Sequence, residues 1–173
     1  MRAVACTNLQ LRKLVLAALF ASVGVFLSGL SIPLGPTRCF PIQHAVNVIA
    51  GVLLGPWWAA GAAFITSTLR LATGTGTFFA YPGSIPGALA VGLAASLLRR
   101  RRIYASLAEP LGTSIVGTGL SAAVIAPAVH SNATFAMLFA PFFASSVSGT
   151  VLGALVLVVL ERSRRAIEAA EEG

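Results

Sequence analysis

The sequence predicts an all-α integral membrane protein, a compact bundle of about six transmembrane helices, and three observations predict it. Of its 173 residues, 57% are hydrophobic and only 10% are charged, which is far from the composition of soluble domains. Apolar runs recur along the whole chain, and the basic residues gather at their ends. A backbone in lipid must close its hydrogen bonds internally, as helices or as a closed barrel. Barrel strands would alternate apolar and polar residues over about ten positions. Here continuous apolar runs are broken by Gly, Pro and basic clusters, which is the pattern of helices.

Six spans follow from the runs: Leu14 to Leu30, Pro41 to Leu54, Trp57 to Leu71, Tyr81 to Leu98, Tyr104 to Val129 and Thr134 to Leu160. The second and third are short against the roughly 20 residues needed to cross the hydrocarbon. Gly55-Pro56 separates them, because Pro56 interrupts a helical ladder and Gly55 suits a helix C-terminal cap. The first run, preceded by Arg2, Arg12 and Lys13, also has the outline of a signal peptide, although it is long for one and more spans follow.

Orientation comes from charge. With the N-terminus inside, ten of the twelve basic residues fall on the cytoplasmic side: Arg2, Arg12, Lys13, Arg99 to Arg102, Arg162, Arg164 and Arg165. Only Arg38 and Arg70 fall elsewhere, so both termini are expected in the cytoplasm. Residues 1–173 then form a single membrane domain with a cytoplasmic tail over about 162–173. Cys6 and Cys39 end on opposite sides of the membrane, which argues against a disulfide between them. The net charge of +7 does not point to nucleic acid, because no basic segment carries interleaved aromatics or a Cys/His framework.

Several chemistries lack their residues. Lys13 is the sole lysine and sits in no GxxxxGK[ST] loop, so the chain has no phosphate cradle of its own. His44 and His130 stand far apart without an HExxH or CxxC setting, and no serine lies in GxSxG. The reading is of a protein that is not an enzyme and uses no metal or cofactor.

Polar side chains inside apolar runs are costly in lipid and mark candidate sites. Gln43, His44 and Asn47 share one stripe of the second span, spaced i, i+3 and i+4. They serve either as directed hydrogen-bonding groups for a small polar solute or as ties between helices. Arg70, near the outer end of the third span, is followed by a Gly- and Thr-rich segment and by Phe78, Phe79, Tyr81 and Ser84. That group suits either a small aromatic ligand or an interfacial aromatic belt with a snorkelling arginine. Glu109 heads a stripe with Thr113, Gly117 and Ser121; it either pairs with the nearby arginine run or takes part in solute binding. His130 and Asn132 are expected to be solvated. Small residues recur every four positions at Ala17 and Ala21, with Ala18 and Ser22 beside them, and at Ser145, Gly149 and Gly153. Such faces let helices approach closely, within the chain or against another subunit.

The segment IPLGPTRCFPIQHAVNVIAGVLLGPWWAAGAAFITSTLR, followed by GTGTFFAYPGSIPGALA, resembles ThiW, the substrate-binding S component of energy-coupling-factor (ECF) vitamin transporters. The likeness runs from Ile32 to about Gly119, and the last third matches only in character. It implies a multi-pass protein of a prokaryotic cell membrane that takes up the thiamine precursor hydroxyethylthiazole. The resemblance further implies a separate coupling subunit and two ATPase subunits as partners, with Ala17 and Ala21 as the docking face. The expected binding residues are Gln43, His44 and Asn47 for polar contacts, Tyr81 for stacking, Ser84 beside it, and Arg38 or Arg70 at the entrance. An S component for another vitamin and a non-transporting scaffold are the rival readings.

Overall fold

The computed structural model describes residues 2–34, 37–99 and 101–171, and their side chains except those of residues 2–7 and Thr37. The tip of the first loop at Gly35 and Pro36, Arg100 of the arginine run, the side chains of Arg2 and Cys6, and the last two residues of the tail lie outside the described residues.

Six helical spans follow one another. They are α1 (Arg2–Phe26), α2 (Pro41–Leu54), α3 (Pro56–Ala72), α4 (Ile85–Leu97), α5 (Arg102–Ala128) and α6 (Phe135–Glu171). α1 begins well before the apolar run, so its basic segment is helical too, and a single 3-10 turn at Leu27–Gly29 closes its C-terminal end. α2 is only 14 residues long. Pro41 starts it, where a missing N–H costs no hydrogen bond, and Gly55, at φ 89°, stops it. α6, at 37 residues, is about 55 Å long, well beyond the roughly 30 Å hydrocarbon core. Its end carries the tail as further helix, laced by i, i+4 pairs of Arg164 with Glu168 and Arg165 with Glu161.

One element departs from the all-helical pattern. β1 (Ile32–Leu34) and β2 (Thr37–Cys39) pair antiparallel, Ile32 opposite Cys39 and Leu34 opposite Thr37, as a hairpin between α1 and α2. Pro33 does not suit a continuing helix, and β-branched Ile32 and Thr37 suit a short extended ribbon.

α5 is not a regular α-helix, since Leu111–Gly117 and Ser121–Ile125 adopt the wider π geometry. Such bulges are rare and gather at functional sites. The helices pack through small side chains. Ala50, Ala59, Ala62, Ala63 and Ala88 form one buried cluster with Leu54, and Val48, Val52, Val91 and Leu157 form another. α2 and α6 approach closely, because a Cβ at Gly149 would overlap that of His44, and one at Gly153 would lie 2.8 Å from the Cβ of Val48. Outside, Leu14, Val15, Leu19, Trp57, Leu97, Val151 and Leu155 are exposed. A soluble domain would hide so wide an apolar belt, and lipid accepts it. The molecule is an all-α membrane protein, with four helices long and apolar enough to cross a bilayer among the described residues.

Candidate functional site

The polar stripe of α2 faces inward. Gln43, His44 and Asn47 are all buried, against residues delivered by three other helices. From the N-terminal end of α4, Ser84 receives hydrogen bonds from Gln43 Nε2 at 2.8 Å and Asn47 Nδ2 at 3.0 Å, and Asn47 also reaches the Ser84 carbonyl at 3.2 Å. From α3, Arg70 donates to Gln43 Oε1 and to the carbonyl of Thr75, and its guanidinium lies over the Phe40 ring, 3.8 Å from the centroid. The chain after α3 folds back over Arg70, with the N–H groups of Thr75 and Gly76 both bonding to its carbonyl at 2.9 Å. That turn leaves Arg70 only 1% exposed. Of the two alternatives for Arg70, the snorkelling one does not hold: the side chain is enclosed by protein, and its Nε has no hydrogen-bond partner among the described residues.

Glu109 also differs from the simplest expectation. Instead of joining the arginine run it is fully buried and meets His44, with Oε1 2.5 Å from Nδ1. Thr113 Oγ1 donates to the same oxygen at 2.9 Å, and Oε2 has no partner among the described residues. An ionised carboxylate can only accept, so His44 Nδ1–H is then the donor and the opposite nitrogen, Nε2, is left for another group. Adjacent residues of α2 thus hold a buried guanidinium and a buried carboxyl group, Gln43 contacting Arg70 and His44 contacting Glu109.

These groups border a cavity of about 40 Å³. Arg38, Gln43, His44, Arg70 and Ser84 line it, five of the residues that the sequence singles out. Asn47 stands behind Ser84 and positions it. Tyr81 is elsewhere: its hydroxyl donates to Thr68 at 3.1 Å, its ring tilts against Phe64 at 5.6 Å, and it borders an outer apolar groove with Pro82 and Ile85. The aromatic walls are instead Phe40, Phe79 and Phe142. Ser145 completes the lining and accepts the backbone N–H of Phe40 at 3.0 Å, which ties the hairpin's exit to α6. Phe40 and Phe142 carry no distinguishing mark in sequence, because an aromatic residue in an apolar run costs lipid nothing.

The small-residue face of α1 also turns out differently. Ala17 and Ala21, expected as a docking surface, are 5% and 2% exposed because they are the contact with α3, where Thr66 Oγ1 reaches the Ala21 carbonyl at 3.5 Å. The neighbouring pair, Ala18 and Ser22, faces outward. Ser145, Gly149 and Gly153 of α6 are buried against α2 and the hairpin's exit. His130 and Asn132 are exposed, and Cys39 is a buried free thiol.

A bundle of apolar helices around a small cavity lined by arginine, histidine, amide and aromatic side chains defines a multi-pass membrane protein with a polar interior. The family model of ThiW, the thiamine-precursor transporter protein, matches residues 14–163, and the chain belongs to that family. It is thus a thiamine-precursor transporter protein and not an enzyme. No curated protein and no solved structure matches it.

Proposed function

We propose that the chain is the substrate-binding subunit of an ECF-type transporter that captures hydroxyethylthiazole at the Gln43–His44–Arg70 cavity. The observation that carries this reading is the convergence of Gln43, His44 and Arg70 on a space walled by Phe40, Phe79 and Phe142, with Glu109 behind His44. Hydroxyethylthiazole is a flat, neutral heteroaromatic with one ring nitrogen acceptor and one hydroxyl. Arg70 and Gln43 supply N–H donors to the acceptor, while His44 Nε2 accepts the hydroxyl proton and Glu109 fixes the ring that carries it. Discrimination rests on the hydroxyl, since an analogue without it would leave His44 unpaired in a dry site.

At about 40 Å³ the cavity is small, so a ring of this size fits closely against its walls. Arg38 of the β1–β2 hairpin and Thr77, Phe79 and Ala80 of the segment after α3 form one side of it. The orientation proposed from charge, with both termini in the cytoplasm, puts this end of the bundle outside the cell. The chain carries no ATPase of its own, so uptake draws on a separate coupling subunit and two ATPase subunits, and the outward Ala18–Ser22 pair of α1 is where a coupling helix approaches closely.

A second reading has its own support. Arg38 and Arg70 both line the cavity, and no carboxylate contacts either among the described residues. A precursor carrying an anionic group would meet both. Calorimetric titration of the detergent-purified chain with hydroxyethylthiazole, its phosphate ester, thiamine and biotin separates the readings. Hydroxyethylthiazole should bind tightest. Tighter binding of the ester would move the assignment to an anionic precursor, and tighter binding of thiamine or biotin would overturn it.

A further inference from the structure

The opposite end of the bundle holds a second cavity, of about 650 Å³, between the end of α2, Arg99 and Arg101, the start of α5, and α6. Its rim carries five arginines, Arg99, Arg101, Arg102, Arg164 and Arg165, against one carboxylate, Glu161. Glu161 is already paired with Arg165, and Arg164 with Glu168. Among the described residues no carboxylate contacts Arg99, Arg101 or Arg102, so their positive charge faces the cavity uncompensated. The floor is of another character: Val52, Leu53, Ile103, Leu157 and Leu160 are apolar, and Leu53 and Leu160 remain about half exposed.

We propose that this cavity is a binding site for an anionic phospholipid such as phosphatidylglycerol. The rim offers planar guanidinium forks that match the oxygens of a phosphodiester, in a basic pocket between spanning helices. The floor gives an acyl chain or glycerol backbone apolar surface continuous with the lipid-facing sides of α2 and α6. A free phosphate uses only the rim, leaving the half-exposed leucines uncovered and most of the volume empty. A topology signal alone requires basic residues near a helix end. It does not require them to ring an apolar-floored cavity.

The site is independent of the substrate cavity, so the two are tested separately. The full chain in a neutral detergent is titrated with phosphatidylglycerol, phosphatidylcholine, inorganic phosphate or a glutamate-rich peptide, following thermal unfolding and retained lipid by native mass spectrometry. Phosphatidylglycerol should raise the melting temperature by about 3–5 °C at tenfold excess over half-saturation and remain bound, while phosphatidylcholine does neither. In the triple variant Arg99→Gln, Arg101→Gln, Arg102→Gln that increment should vanish with hydroxyethylthiazole binding unchanged. Should the variant not fold, wild-type protein in 0.5 M salt gives the same comparison, because rim charges near water are screened within a few ångströms. Equal shifts with the two lipids, a shift with phosphate or acidic peptide alone, or a shift that survives the triple substitution and high salt would each overturn the proposal.

Discussion

At the scale of single residues, Glu109 is the group on which the site is most exposed to damage. Its carboxylate is completely buried and holds His44, so removing it strips a partner from an imidazole already out of water. Truncation of one member of a buried pair costs about 3–5 kcal/mol, whereas a neutral amide that keeps the hydrogen bond costs roughly 1–2 kcal/mol. Glu109→Ala should therefore lower the melting temperature clearly more than Glu109→Gln, and both should weaken hydroxyethylthiazole binding. Equal melting temperatures for the two variants would mean that the carboxylate's charge and hydrogen bond do not hold the fold at this point. The α2 stripe was legible in the sequence because an amide or an imidazole among apolar neighbours has to be turned away from lipid. Its partner was not, since matching His44 to Glu109 depends on how far two helices slide past each other, and no local pattern encodes that. Tyr81 shows the converse: aromatic chemistry beside a polar segment reads as a stacking platform, while the structure places the ring against Phe64 with its hydroxyl on Thr68, away from the cavity that Gln43 and Arg70 line.

At the scale of elements, the contact of α2 with α6 sets the position of His44. Gly149 permits it, since any Cβ there would overlap the Cβ of His44 and the carbonyl of Pro41. Gly149→Ala should destabilise the protein by about 1–3 kcal/mol and reduce substrate affinity at least tenfold, because it pushes His44 off its place against Glu109. Gly119→Ala, where nothing lies within 4 Å, is the control and should be neutral or stabilising by up to about 1 kcal/mol. Thermal unfolding and calorimetry on the two variants check both expectations. Spans and breaks were visible in composition alone, down to the Gly55-Pro56 stop. What composition left open was which side of each small-residue face is used. Ala17, Ala18, Ala21 and Ser22 make two overlapping pairs at the same spacing, and only the packing of α1 on α3 decides that the first is internal. The π geometry of α5 was equally hidden, because its residues are those of an ordinary apolar helix.

At the scale of the whole molecule, charge and depth make a common prediction. With both termini inside, a cysteine placed at Asn132 should react with an impermeant maleimide in intact cells, and one placed at Ser163 only after the membrane is permeabilised. The reverse pattern would invert the bundle and put the substrate cavity on the cytoplasmic side. The small size of that cavity has a kinetic consequence that stopped-flow mixing can read. If its walls must part to admit a solute, association should run well below the roughly 10⁹ M⁻¹s⁻¹ of free diffusion, and the observed affinity should be reduced by the open fraction. Association near the diffusion limit would instead mean that the entrance already stands open.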